Sequence, residues 1–201
     1  VRHLILIILA LYTLAPLLFL FVNAFKSNNE IIASPVALPE HWTLQYIKTA
    51  MEAINFGKAL GLTFIITFFS ILLLVIVSSF AAWAMVRSKT ILSNIVFLCF
   101  TAAMLVPFQS LMYPLLSVFE KMGLKNVQGL ILMYGGFGLS MSVFLYHGFI
   151  KSVPASLEEA AVLDGANLFQ MFFKVVFPLL KGTTVTVIVL NGMWIWNDYL
   201  L

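Results

Sequence analysis

Residues 59–86 read ALGLTFIITFFSILLLVIVSSFAAWAMV, 28 positions without one charged side chain. A bilayer core about 30 Å thick is crossed by about 20 helical residues rising 1.5 Å each, so this stretch alone can span it. Its apolar residues come as one long block. A membrane β-barrel strand would instead be short and alternating. A helix is the remaining way for the backbone to satisfy its own polar groups in lipid. Working outward, charge-free runs recur at 4–25, 90–119, 126–150 and 182–197. The last continues in apolar character through Leu201, interrupted by Asp198. Over the 201 residues 62% are hydrophobic and 9% charged, against about 45–50% and 25% in soluble domains. That excludes a soluble globular domain, a disordered chain and a nucleic-acid module. The class is all-α: a polytopic transmembrane helical bundle.

The spans are expected at about Leu4 to Phe25 (with Pro16 as a kink), Ala59 to Met85, Ile91 to Met112 (closed by Pro107 and Pro114), Gly129 to Phe149, and from Thr183 onward. Residues 26–58 form a polar connection whose Trp42-Thr43-Leu44-Gln45-Tyr46 stretch reads as interfacial. Arg2 and His3 before an apolar stretch resemble a signal peptide, but the stretch exceeds a signal h-region and four more spans follow, so it is read as a retained helix. Val1 is not an initiator Met and the last run stops at Leu201, which leads us to expect a fragment with five spans present and a sixth missing.

Lys/Arg placement orients the chain. With the N-terminus cytoplasmic, the inside holds Arg2, Arg87, Lys89, Lys151, Lys174 and Lys181, and the outside Lys26, Lys48, Lys58, Lys121 and Lys125. Six against five decides little. The tight turn holding Arg87 and Lys89 is the best single vote, and on it residues 151–182 are cytoplasmic. The net charge of +3 reflects ordinary loop charges, since the sequence shows no Lys/Arg cluster to make a nucleic-acid or lipid-headgroup patch. Cys99 stands alone in an apolar run, so the chain has no disulfide framework, and the thiol is expected to be a small buried hydrophobe.

Residues 151–182 are the most informative segment. Ser156-Leu157-Glu158-Glu159 has the spacing of a capping box, and Pro154 just upstream fixes the helix start. The short helix from Leu157 to Asp164 would place Leu157, Ala160 and Ala161 on one face. Gly165 supplies a left-handed stop. Asn167 with Gln170 starts a second helix, and Pro178 marks its junction with the fifth span. A polar helix with two small Ala residues on its face suits close approach by another surface. By physics alone an interfacial helix resting on lipid fits equally well.

Glu159-Ala160-Ala161, three residues, then Gly165, with Asp164-Gly165-Ala166 continuous and Pro178-Leu179 downstream, resembles the EAA loop of ATP-binding-cassette importer permeases. Elsewhere the chain is similar to the carbohydrate branch of that family, of the maltose-permease second-subunit type. The resemblance rests on Asn23-Ala24-Phe25-Lys26 through Pro39 and Tyr46, Pro107-Phe108-Gln109, Tyr113-Pro114-Leu115, Gly123-Leu124 with Asn126, and Trp196-Asn197-Asp198-Tyr199. It covers essentially the whole chain. Gly182 departs from it where a second proline would be expected. The resemblance implies one transmembrane permease domain over 1–201, with a cytoplasmic coupling loop at 151–182. That loop would meet an ATPase through Glu159, Ala160, Ala161 and Gly165. It further implies two ATP-binding subunits, a second and different permease subunit, an extracytoplasmic solute-binding protein and a bacterial or archaeal plasma (inner) membrane. ATP would be bound by the partner subunit, with no cofactor, metal or catalytic residue in this chain: no Gly-rich phosphate loop ending in Lys-Ser/Thr occurs.

Rival readings are a membrane enzyme, a channel or secondary transporter, and an importer of a non-sugar solute. His3, His41 and His147 sit in three separate connections, and no HExxH or Gly-x-Ser-x-Gly motif occurs, which speaks against an enzyme. The first four spans carry no charge of the kind that coordinates ions or relays protons. Within the spans, Thr63, Thr67 and Ser70 share a face suited to helix contact, and Gly135, Gly136 and Gly138 permit close packing. Trp42, Trp83 and Trp194 read as interface-belt residues. Asn191, Trp194 and Asp198 fall within about 60° of one another at 100° per residue. They either pack and mark the outer interface or line a solute path.

Overall fold

The computed structural model describes residues 2–198; Tyr199, Leu200 and Leu201, with the end of the Trp196-to-Tyr199 motif and any sixth span, lie outside the described residues. Two compact units divide the chain, residues 1–61 and 62–201.

In the first unit, α1 (Arg2–Asn23) carries Pro16 inside a continuous helix, and its side chains are exposed along almost all its length. Two short helices follow, α2 (Asn28–Ala33) and α3 (Gln45–Ala53). Ser27 and Glu30 form a reciprocal capping box at the start of α2. The bonds from Ser27 hold the Glu30 carboxyl below its ordinary value. Lys26 is buried, its Nζ donating to the Ser34 and Pro35 carbonyls at 3.1 and 3.4 Å. The Phe25 ring lies 5.1 Å from Trp42. This polar knot supplies the first connection with local structure.

The long apolar block becomes α4 (Phe56–Ser88), which begins in the first unit and runs into the second. The second unit continues with α5 (Ile91–Ala103), α6 (Phe108–Lys121), α7 (Val127–Ile150) and α8 (Ser156–Leu163). Next come α9 (Leu168–Gln170), a π-helical segment (Met171–Val176), α10 (Phe177–Leu179) and α11 (Lys181–Asn197). Among the described residues three helices, those containing His3–Asn23, Phe56–Ser88 and Val127–Ile150, are long and apolar enough to cross a membrane, and up to five spans result if each bent pair counts as one.

Both bends fall at prolines. The expected third span is two helices at 106°, broken over residues 104–107 ahead of Pro107. This corrects the continuous run from Ile91 to Met112. Pro107 caps α6 in an extended conformation, while Pro114 sits inside it. The second bend, 76°, separates Leu168–Leu179 from Lys181–Asn197. Pro178 has no N–H to donate to Lys174, and the helix before it widens into a π register in which Phe177 N–H reaches the Phe172 carbonyl.

In lipid, apolar burial does little to drive helices together, so close backbone approach and hydrogen bonds decide where they meet. An ideal Cβ on Gly135 would lie 2.4 Å from Leu73 Cδ2, and one on Gly138 would lie 2.6 Å from both Leu74 Cδ1 and Asn191 Oδ1. These glycines let α4 and α11 press onto α7. Ser70 donates to the Ile131 carbonyl at 3.4 Å, so the hydroxyl face of α4 also meets α7. Two apolar clusters result. One joins Val75, Ala82 and Trp83 to Tyr146, Ile150, Phe172 and Val187; the other joins Leu74, Tyr134 and Ile195. Cys99 is exposed on α5 rather than buried; Phe97, two residues earlier and so on a different side of the helix, is the residue that meets Phe144 and His147 of α7.

Candidate functional site

The segment after α7 leaves the bundle through Pro154 and returns as α8. The expected capping box at Ser156 does not form. Ala155 takes the N-cap position with helical torsions, φ −65° and ψ −24°, and no side chain caps the helix. A capping side chain needs an extended residue at that position. Here the Ala155 carbonyl already accepts from Glu158 and Glu159 N–H, placing Ser156 inside the first turn. Gly165 does end the helix as expected, at φ +81°, where a side chain would be strained. The reciprocal box between Asn167 and Gln170 forms and starts α9.

The two adjacent glutamates part company. Glu159 is exposed and Glu158 is buried. Glu158 Oε2 accepts from the Trp83 indole Nε1 at 3.0 Å. Its Oε1 accepts from Arg87 Nε at 2.8 Å and lies 2.7 Å from Arg87 Nη2. Arg87 Nη2 also donates to the Val153 carbonyl at 3.0 Å. The end of α4 therefore grips both α8 and the link that leads into it. Trp83 is 5% exposed, a buried member of this clasp rather than an interface-belt residue. Its ring is 5.2 Å from Phe172, and Phe172 stacks on Phe80 at 3.8 Å, fastening the π segment to the same place. Sequence reading missed the clasp because its partners lie 71 and 75 residues apart; the one visible signal was an arginine directly after a charge-free span.

Of the four coupling residues named from sequence, Glu159 and Ala160 face outward, as does Leu157 at 45% exposure. Ala161 instead turns inward at 8% exposure. Leu157, Glu159 and Ala160 are thus all exposed around a helix whose buried stripe is Glu158 and Ala161, with Gly165 at its end.

Toward the other end of the bundle, α7 and α11 run antiparallel and share three polar rungs. Tyr146 Oη donates to Thr184 Oγ1 at 2.9 Å. Asn191 Nδ2 donates to Ser142 Oγ at 3.1 Å and to the Val187 carbonyl at 2.9 Å. Tyr134 Oη donates to Asp198 Oδ2 at 2.7 Å. Asp198 follows the last helical turn in an extended conformation. A cavity of about 700 Å³ opens beside these rungs, walled by Phe108, Phe137, Met141, Asn191 and Trp194. Trp194 meets Phe108, Tyr134 and Phe137 edge-on at 5.6, 5.6 and 6.4 Å. Asn191 and Trp194 share that wall, whereas Asp198 is engaged by Tyr134 and does not line it. No group of three or more His, Cys, Asp or Glu side chains able to hold a metal occurs among the described residues.

Residues 75–201 match the family described as binding-protein-dependent transport system inner membrane component. The chain is 45% identical over 195 residues to the "probable starch degradation products transport system permease protein AmyC" of Thermoanaerobacterium thermosulfurigenes, covering 97% of this chain and 71% of that protein. It is 33% identical to the multiple sugar-binding transport system permease protein MsmG of Streptococcus mutans, covering 100% and 73%. Its fold is like a chain of a bacterial ABC transporter involved in import of the acidic polysaccharide alginate, with a TM-score of 0.84, 24% identity, and coverage of 98% and 70%.

Proposed function

The chain belongs to the family of inner membrane components of binding-protein-dependent transport systems, and on that basis we propose that it is one permease subunit of an ATP-driven importer of sugars or oligosaccharides. It is a multi-pass membrane permease in a family of transport components rather than of enzymes. The carbohydrate cargo rests on the relatives' names, starch degradation products and multiple sugars. In this reading two cytoplasmic ATP-binding subunits, a second and different permease subunit and an extracytoplasmic solute-binding protein complete the machine. ATP stays on the ATP-binding subunits.

The observation that carries the reading is the division of labour between Glu158 and Glu159. Glu158 is spent inside the subunit, on Trp83 and Arg87. Glu159 is exposed, as are Leu157 and Ala160, ahead of a glycine corner. A pull on α8 by a closing ATPase would pass through the clasp to α4 and, by way of Val153, to the end of α7. Both helices wall the bundle that holds the aromatic cavity. Asn191 and Trp194 would line the solute path there, a Trp face suiting the apolar C–H face of a sugar ring. Asp198 would hold α11 to α7 through Tyr134. The ends of α4 and α7 that carry Arg87, Lys89 and Lys151 would face the cytoplasm, as would the N-terminus.

Two variants test the coupling role. Gly165→Val strains the corner at positive φ. Glu159→Lys reverses the charge offered to the ATPase. In proteoliposomes carrying the assembled transporter, each should lower both uptake and ATPase recruitment while insertion stays normal. Normal recruitment and uptake in both would remove the coupling role. A cysteine in Ser156→Cys, in a Cys99→Ser background, should resist an impermeant thiol reagent in intact cells; labelling from outside would invert the orientation.

A further inference from the structure

A second cavity, about 550 Å³, lies between the turn joining α4 to α5 and the link joining α7 to α8. Every titratable group in its lining is basic: Arg87, Lys89, His147 and Lys151. Asn94 and Ser152 add an amide and a hydroxyl. Lys89 and Lys151 are exposed and make no ion pair among the described residues. Arg87 spends Nε and Nη2 on Glu158 and Val153, and its Nη1 makes no hydrogen bond among the described residues. Glu158, the carboxylate paired with Arg87, is tied to Trp83 and Arg87 and does not line the cavity. Lys89 and Lys151, gathered beside Arg87 with no ion pair of their own among the described residues, repel, and the cheapest remedy is a bound anion.

The geometry is built rather than accidental. Lys89 holds φ +48°, a conformation disfavoured for a side-chain-bearing residue, at the turn that brings it over the cavity. His147 is 5% exposed and stacks on Phe97 at 3.6 Å. Lys151 Nζ lies 5.9 Å from the centre of that same ring. One aromatic ring thus lies against both His147 and Lys151.

The cavity's level in the bilayer says what anion it meets. Arg87 ends a charge-free run of 28 residues, and Lys151 ends one of 25. Both therefore stand where apolar chain gives way to water, which is where lipid phosphates lie. Beside it Ile91 and Leu92 are 79% and 69% exposed, an apolar shelf for an acyl chain. We propose that this cavity binds the phosphate of an anionic phospholipid headgroup. Basic pockets between membrane helices at this level have the charge and setting for such headgroups. The site adjoins the clasp, so a lipid there would add an anchor to the end of α4 that α8 pulls on.

The assembled transporter, equilibrated with mixed micelles of phosphatidylglycerol and phosphatidylcholine in equal parts, gives the test by native mass spectrometry. The wild type should retain phosphatidylglycerol in preference. Lys89→Gln with Lys151→Gln should lower that preference about thirtyfold, given about 1 kcal/mol per basic residue near an anionic surface. Lys89→Arg with Lys151→Arg should keep it, as should Lys121→Gln with Lys125→Gln. Undiminished preference in the glutamine pair would overturn the proposal. So would displacement of the lipid by millimolar inorganic phosphate, which would make this a free-anion site. A measurement on the unaltered protein stands beside it: relative to Lys174, acetylation of Lys89 and Lys151 should slow in phosphatidylglycerol vesicles compared with phosphatidylcholine vesicles. Equal relative rates would equally overturn it.

Discussion

The clasp at the end of α4 and the rungs between α7 and α11 are both polar, and they solve opposite problems. The clasp joins full charges, Arg87 to Glu158, at the edge of the apolar zone, where Arg87 still keeps 22% of its side chain exposed and Glu158 10%. The inner rungs, Tyr146 to Thr184 and Asn191 to Ser142, use neutral hydroxyls and an amide. A carboxylate returns only at Asp198, past the last helical turn. Charge in mid-bilayer costs about 2.5–3.5 kcal/mol by insertion scales, so a bundle held by neutral bonds inside and charged ones at its edge avoids that cost. The charged contact is therefore the place to look for force transmission, and the neutral ones for packing and solute passage.

Breaking the clasp should show the largest effect. Glu158→Ala leaves Arg87 and the Trp83 indole without their acceptor, which we expect to destabilise by about 3 kcal/mol, the low end for a broken buried pair because Arg87 keeps some water. Thermal unfolding of the purified transporter would read it. Exchanging the partners, Arg87→Glu with Glu158→Arg, should recover part of the loss; no recovery would mean that Trp83 packing, not the ion pair, holds α8.

Gly138→Ala presses the other region. Its Cβ would lie 2.6 Å from Asn191 Oδ1 and from Leu74 Cδ1, so those buried side chains must repack or α7 must part from α4 and α11, at a cost of about 1–3 kcal/mol. Gly136→Ala, whose Cβ would meet open space, should leave the melting temperature nearly unchanged and so serves as the control. Equal melting temperatures for the two would show that the helices are not closely packed there.

Asn191→Leu should be the mildest on stability, about 0.6–1.5 kcal/mol for one interhelical bond. Compared with Ile195→Leu it separates the two uses of the stripe. If Asn191 also faces solute, uptake falls while assembly survives, and Ile195→Leu transports near normally. Equal, unimpaired uptake in both would leave Asn191 a packing residue bonded to Ser142.

Apolar runs made the helical class legible, since period and length depend on nothing distant. The bends were only half legible. Pro107 and Pro178 were visible, but whether a proline kinks, breaks or merely sits in a helix depends on neighbours, as Pro16 and Pro114 show by remaining inside theirs. Capping gives the sharpest contrast. Ser27 to Glu30 and Ser156 to Glu159 share one spacing, yet the first forms a reciprocal box and the second none. Ser27 is extended, at φ −71° and ψ 159°, and Ala155 ahead of Ser156 is already helical. In the candidate site, the spacing of Glu159, Ala160, Ala161 and Gly165 located the corner but not the inward turn of Ala161. The partnership of Glu158 with Trp83 and Arg87 left only the position of Arg87, directly after a charge-free span, as a signal, because a contact across 75 residues leaves no local pattern.

The two glutamates of α8 differ in burial, Glu158 holding the subunit together and Glu159 left exposed for the proposed ATPase contact. A photocrosslinking residue placed at position 159, and separately at 158, in the assembled transporter tests that difference most directly. Crosslinks to the ATP-binding subunit should form from 159, change in yield when ATP is added, and be absent from 158. Crosslinks from 158 equal to those from 159, or none from 159, would contradict the account.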